Sequence, residues 1–291
     1  MRKIMAVHDT HPPHWVGDGF PVRSVFTYDG LGREQLSPFL LLDYAAPTRF
    51  EPATRRRGVG EHPHRGFETV TIVYQGELEH RDSAGNGGRI GPGDVQWMTA
   101  AAGIIHEEFH SERFTREGGM MEMMQLWVNL PAKDKVAPPR YQTLLARDIP
   151  SVPLADGAGQ LRVIAGEFSG HQGPAKTFTP IDVWDLKLKA GSTTTLATPE
   201  GHTIAIVNMR GRIAINGTRL VTESQIAVLN RTGGEFAISP ETDAALLLLS
   251  GAPIPEPVVG YGPFVMTSQG EIAQAMRDYQ TGRFGRLPDS R

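Results

Sequence analysis

The stretch Val70-Thr71-Ile72-Val73-Tyr74-Gln75-Gly76 is a β-branched and aromatic run closed by a glycine turn, the pattern of a half-buried strand. It returns 135 residues later as Ala205-Ile206-Val207-Asn208-Met209-Arg210-Gly211, with turn-rich strands after each copy. Between Pro21 and Leu130 similar runs alternate with turn signals at Asp29-Gly30, Gln75-Gly76, Asn86-Gly87 and Gly91-Pro92-Gly93-Asp94. From Leu161 to Leu249 the same texture resumes, with turns at Ala190-Gly191, Arg210-Gly211 and Asn216-Gly217. The expectation is an all-β chain made of two copies of one antiparallel β-barrel. The Pro-rich stretch from Pro131 to Pro139 marks the division, which we set at 1–135 and 136–291.

The tail departs from this pattern. Ser268-x-x-Glu271 reads as a capping box, and Ile272, Ala275, Met276 and Tyr279 recur at helical spacing, which predicts one amphipathic helix ending near Gly282. Phe39 to Leu42 and Ala244 to Leu249 are the longest apolar runs and fall far short of the ~20 residues that span a bilayer, so they read as buried strands. The opening MRKIMAVHDTHPPHWVGDG lacks the apolar run of a secretory signal, so a cytoplasmic protein is expected.

With 291 residues, 40% of them hydrophobic and 21% charged, the chain can bury a full core. A net charge of −3 gives no electrostatic reason for direct nucleic-acid or membrane binding. The absence of Cys excludes disulfides, iron–sulfur clusters and thiolate metal sites, so a metal must be held by His and carboxylate.

Eight of the ten His residues precede position 111, and the informative segment is Glu61-His62-Pro63-His64-Arg65-Gly66-Phe67-Glu68. In a strand, residues i and i+2 share a face about 6.6 Å apart, close enough for two imidazoles to converge on one ion. His62 and His64 satisfy this, and the same parity reaches Glu68. Gly103-Ile104-Ile105-His106-Glu107-Glu108 places His106 and Glu108 on one face of a later strand by the same rule. Three imidazoles and a carboxylate suit a divalent first-row ion and leave two octahedral positions open. His80, His110, His8, His11 and His14 lack such a partner in the sequence and read as solvated or structural, and Trp97 and Trp127 read as core. Spacing alone leaves Glu108 and Glu68 as rivals for the fourth position.

The segment from His62 to Val70, with Gly93-Asp94-Val95-Gln96-Trp97-Met98-Thr99-Ala100 and Gln125-Leu126-Trp127-Val128-Asn129-Leu130, resembles the pirin family of the cupin superfamily. Phe39-Leu40-Leu41-Leu42-Asp43 and Gly262-Pro263-Phe264-Val265-Met266 fit as well, so the likeness runs from about Phe20 to Gly285. It implies a bicupin, two face-to-face jelly-roll barrels, with one metal ion in the N-terminal barrel. Iron, as Fe(II), is the expected ion, while manganese, nickel, cobalt, copper or zinc would accept the same ligands. The ligands carried over are His62, His64, His106 and Glu108. General cupins take their carboxylate from the position of Glu68, which here is assigned to orienting an imidazole from behind. In the second barrel the positions of His62 and His64 fall on Ala197 and Pro199, so a metal site is not expected there.

The resemblance further implies a quercetin 2,3-dioxygenase, which opens a flavonol with dioxygen and releases carbon monoxide. Glu108 is then the general base, and Asp43 and Gln125 belong to the pocket wall. The other implied class is a metal-dependent, redox-sensing regulator that binds a protein partner such as a transcription factor or a metabolic enzyme. Arg55-Arg56-Arg57 could contribute to such a surface, although a short charge run usually marks a solvated loop. A monomer is the expected working unit.

Overall fold

The computed structural model describes residues 1–288. It divides into two compact units that share one strand plan. The first unit holds Pro12–Arg33, Phe39–Ala146 and the chain from Ile254 onward; the second holds Met1–His11, Glu34–Pro38 and Arg147–Pro253.

In the first unit a seven-stranded antiparallel sheet runs in the order Arg140–Leu144, Val95–Thr99, Phe67–Gln75, Gly119–Asn129, Phe39–Phe50, Phe20–Phe26 and His14–Val16. A four-stranded sheet runs Gly58–His64, Ile104–His110, Leu78–Asp82 and Gly87–Ile90. Phe20, Val22, Val73, Met121 and Met123 of the large sheet pack on Leu78 and Ile90 of the small one, which closes the sandwich.

The second unit repeats this plan. Its large sheet runs Ile4–Asp9, Gln225–Leu229, Thr203–Arg210, Ala244–Gly251, Ile181–Leu188, Gly159–Ala165 and Ser151–Pro153. Its small sheet runs Thr194–Ala197, Glu235–Pro240, Ile213–Ile215 and Arg219–Val221. The strands holding Val70–Gln75 and Ala205–Arg210 occupy the same position in the two sheets, as the internal repeat predicts. Trp184, Leu186, Leu196, Ile206, Ile215 and Phe236 fill this barrel with apolar side chains, and the His202 ring contacts Ser250 Oγ at 3.2 Å as a structural group. Ala197 and Pro199 stand where the first unit has its histidines.

The division at 135/136 differs from this arrangement at four places, one of them the short segment Glu34–Pro38, which joins the second unit. Ile4–Asp9 pairs with Gln225–Leu229 and so completes the second barrel, whereas Arg140–Leu144 pairs with Val95–Thr99 and completes the first. The helix Gln269–Gln280 belongs to the first unit, because Ile272, Ala275 and Met276 pack with Phe264, Met266 and Phe284 against Ile105. Local periodicity reports a strand but not the sheet it will join. The capping box itself is present, with Ser268 Oγ accepting from the Glu271 amide.

Each barrel also plugs one turn with a buried cation placed shortly before its edge strand. Lys135 Nζ donates to Gly66 O, Asn129 Oδ1 and Val265 O at 2.7, 2.7 and 2.9 Å. Arg2 donates to Thr198 O, Pro199 O and Asn230 O in the corresponding turn of the second barrel. Backbone carbonyls turned inward need donors, and these cations supply them.

Candidate metal centre

Strand Gly58–His64 lies antiparallel to Ile104–His110, with His62 opposite His106 and His64 opposite Ile104. The register slips between Val59 and His62, a bulge that re-aims the end of the strand. Three imidazoles thereby converge: His62 and His106 have ring centroids 4.2 Å apart, His62 and His64 4.8 Å, and His64 and His106 4.9 Å. Their donor nitrogens lie within 4.8 Å of one another.

The hydrogen bonds leave one nitrogen of each ring facing inward. His62 Nδ1 sits 2.8 Å from Gly60 O, which makes it the protonated nitrogen and leaves Nε2 as a lone pair. His64 Nδ1 and His106 Nε2 are buried with no hydrogen-bond partner. Burial, and then the charge of His62, hold the His64 ring well below the ordinary imidazole pKa, although the Pro263 carbonyl acts the other way. Burial followed by His62, His64 and His80 does the same to His106. Neutral rings with unpartnered nitrogens are what a divalent ion requires, so these residues fit a metal.

Glu108 lies on the same face of its strand as His106, as expected, but it falls in a second triad with His80 and His106. Gln96 Nε2 donates to Glu108 Oε1 at 3.0 Å, and Thr71 Oγ1 lies 3.2 Å from the same oxygen. His80, read from the sequence as partnerless, is 2% exposed and stacks on Tyr141 with centroids 4.8 Å apart. Strand Leu78–Asp82 pairs with Ile104–His110 so that His80 faces Glu108 and Asp82 faces His106. The signal was in the sequence: His80-x-Asp82 repeats the His-x-acid spacing of His106-x-Glu108. His110 is structural, its Nε2 donating to Gly19 O at 3.0 Å.

Glu68 does not orient an imidazole. The chain turns at Arg65-Gly66, with Gly66 at φ +90°, and passes from the small sheet into the large one, so the period-two count from His64 does not carry across. Glu68 stands on the face of its strand opposite Thr71, accepts from Thr99 Oγ1 at 2.6 Å and lies 4.0 Å from Arg140. Burial pushes its carboxyl up to about 7, against the opposing effects of Thr99 and Arg140. The folded chain therefore binds this proton more tightly than the unfolded chain, and stability present below pH 4.5 is lost as pH rises through 7. Glu68→Gln should remove this slope, which is on the order of 3 kcal/mol across the window at about 1.4 kcal/mol per pH unit. Thermal unfolding of both proteins from pH 4.5 to 8 checks this, and equal slopes would contradict it.

A cavity of about 330 Å³ opens beside the three imidazoles, lined by His62, His64 and Glu108 together with Asp43 and Gln125. Val16, Phe20, Val22, Val59, Met123 and Pro263 make much of its wall apolar. Asp43 accepts from Ser24 Oγ at 2.6 Å, and Thr71 Oγ1 lies 2.8 Å from Gln125 Oε1. Trp97 is core, fully buried, but Trp127 lines the cavity, stacked on Phe67 and edge-on to His64. The arginine run is largely engaged: Arg56 pairs with Glu79 at 2.7 Å and Arg57 lies over the Phe50 ring, which leaves Arg55 exposed. Among the described residues no helix is long and apolar enough to cross a membrane.

Two barrels of one strand plan, with a histidine-lined cavity in one of them, define a bicupin protein. The pirin profile matches residues 19–128 and the profile of the pirin C-terminal cupin domain matches residues 183–285. A Pseudomonas aeruginosa protein named provisionally as a quercetin 2,3-dioxygenase is 61% identical over 98% of this chain and 99% of its own. Pirin-1 of Arabidopsis thaliana is 37% identical over 92% of this chain and 90% of its own. A crystal structure of a quercetin 2,3-dioxygenase from Acinetobacter baumannii superposes with a TM-score of 0.96 at 53% identity, covering 98% of this chain and 99% of that one. The chain belongs to the pirin family.

Proposed function

We propose that this protein is a metal-dependent dioxygenase that opens flavonols such as quercetin with release of carbon monoxide. The observation that carries the reading is the set of three converging imidazoles, their donor nitrogens within 4.8 Å of one another, beside a largely apolar cavity of about 330 Å³, and the names of the two bacterial relatives agree with it. His62, His64 and His106 would hold the ion, with Glu108 as the fourth group beside it. A bound Fe(II) or similar ion supplies Lewis acidity toward a flavonol hydroxyl and a route for electrons to dioxygen.

The chain's own residues do the rest. Val22, Met123 and Trp127 exclude water and offer flat apolar surface to an aromatic ring system. Gln125 and Asp43 supply the polar contacts that set its orientation. Glu108 accepts the hydroxyl proton: its Oε1 accepts from Gln96, with Thr71 Oγ1 3.2 Å away, while Oε2 has no hydrogen bond among the described residues and is free to act as the base.

The test is quercetin loss at its visible absorbance band, with the chain reconstituted with Fe(II) and with the chelated chain as control. Turnover only in the metal-loaded protein is expected, and equal turnover in both would refute the reading. Glu108→Gln keeps the shape and removes the base, so kcat should fall about 10²-fold with a smaller change in KM.

A further inference from the structure

His80 has a contact on each side that links a carboxylate to the imidazole at the bottom of the site. Its Nε2 lies 3.3 Å from Asp82 Oδ2, and its Nδ1 lies 3.3 Å from His106 Nδ1 and 3.2 Å from Gln96 Nε2. Asp82 is itself fixed, since its Oδ1 accepts from the amides of Ala84 and Asn86 at 3.0 and 2.9 Å. An ionised carboxylate only accepts, so the ring nitrogen facing it carries the hydrogen. His80 then presents one lone pair on Nδ1, which the Gln96 amide uses and which a second donor can share only as a three-centre bond. The remaining group in reach is His106 Nδ1, and it can only serve if it bears the hydrogen. His106 Nε2 is in turn the nitrogen left buried without a partner.

We propose that His80 is a positioning residue: held by Asp82, it fixes His106 in the Nδ1–H tautomer and so presents Nε2 as the metal ligand. This rests on the reading that His106 ligates the ion, and it adds a residue that touches neither metal nor substrate. A protonated ligand nitrogen that is tied to a fixed acceptor orients the ring and strengthens its donation to the metal. The same contact explains why a buried histidine is kept at this position, where its ring is 5.2 Å from that of His106 and faces no solvent.

The experiment uses uniformly ¹⁵N-labelled full-length protein, first metal-free and then loaded with Zn²⁺, with long-range ¹H–¹⁵N correlation reading the histidine tautomers. His106 protonated at Nδ1 and His80 protonated at Nε2 are expected in both states. His106 protonated at Nε2 in the metal-free chain, or His80 protonated at Nδ1, would overturn the proposal. Two variants then separate the hydrogen bond from simple packing, read as Zn²⁺ affinity against a competing chelator. His80→Leu should weaken binding about 10–100-fold, while His80→Asn should keep most of the affinity, because its Oδ1 can stand in for Nδ1. Equal losses in the two variants, or none in His80→Leu, count against it. If the wild-type chain takes up no Zn²⁺, the ligand reading fails, and the tautomers of the metal-free chain still decide the role of His80.

Discussion

His106→Ala should purify with no stoichiometric metal and show turnover reduced by about 10³-fold or more, since a metal's Lewis-acid contribution is several kcal/mol. His106 is the residue common to both triads, and its Nε2 is a buried nitrogen without a partner. Removing it breaks both triads and leaves His62, His64 and Glu108 without the imidazole that joins them, so a first-row ion should be held far more weakly. The metal-free fold should survive, because the lost ring left one polar atom unsatisfied and its strand keeps its backbone pairing to both neighbours. The difference is visible in thermal stability: at metal a thousandfold above Kd the wild type gains about 4 kcal/mol, and the variant gains none. Wild-type metal content in the variant would mean that the ion sits elsewhere.

Gly66→Ala should destabilise the first unit by about 3 kcal/mol or more, a Tm fall of roughly 6–12 °C for a unit of this size. Gly66 has φ +90°, and an added Cβ would lie 2.0 Å from Val265 O. That carbonyl cannot retreat freely: Lys135 Nζ binds it, and Val265 N donates to Arg65 O. Pro263, two residues earlier, contributes the carbonyl that acts on His64, so the displacement reaches the metal centre. Gly85→Ala is the control, since Gly85 has φ +84° and open space where the Cβ would go, and should cost only about 1 kcal/mol. Equal Tm changes for the two variants would show that positive φ alone, and not the contact with Val265, sets the cost.

Much of this was legible in the sequence because it depends on local chemistry. Alternating β-branched runs, glycine turns and the 135-residue repeat led to two like barrels, and His-x-His with His-x-Glu led to the imidazole cluster. Glu68 failed because the parity count crossed the Gly66 turn, where the chain changes sheets. His80 failed because His106 and Gln96 come from two other strands whose register no local pattern reveals, and the one local clue, Asp82 two residues on, does not by itself point to a metal centre. The boundary failed for the same reason at larger scale, since Ile4–Asp9 pairs with a strand more than two hundred residues away. Trp127 was misplaced because a tryptophan that stacks on Phe67 is both core and cavity wall.

The central claim is a metal-dependent opening of a flavonol by dioxygen at the His62, His64 and His106 centre. The most direct measurement follows oxygen uptake, carbon monoxide release and quercetin loss together on protein of known metal content. The expected result is one oxygen consumed and one carbon monoxide released per quercetin, in proportion to bound metal. Metal bound at these histidines with no flavonol-dependent oxygen uptake would contradict it.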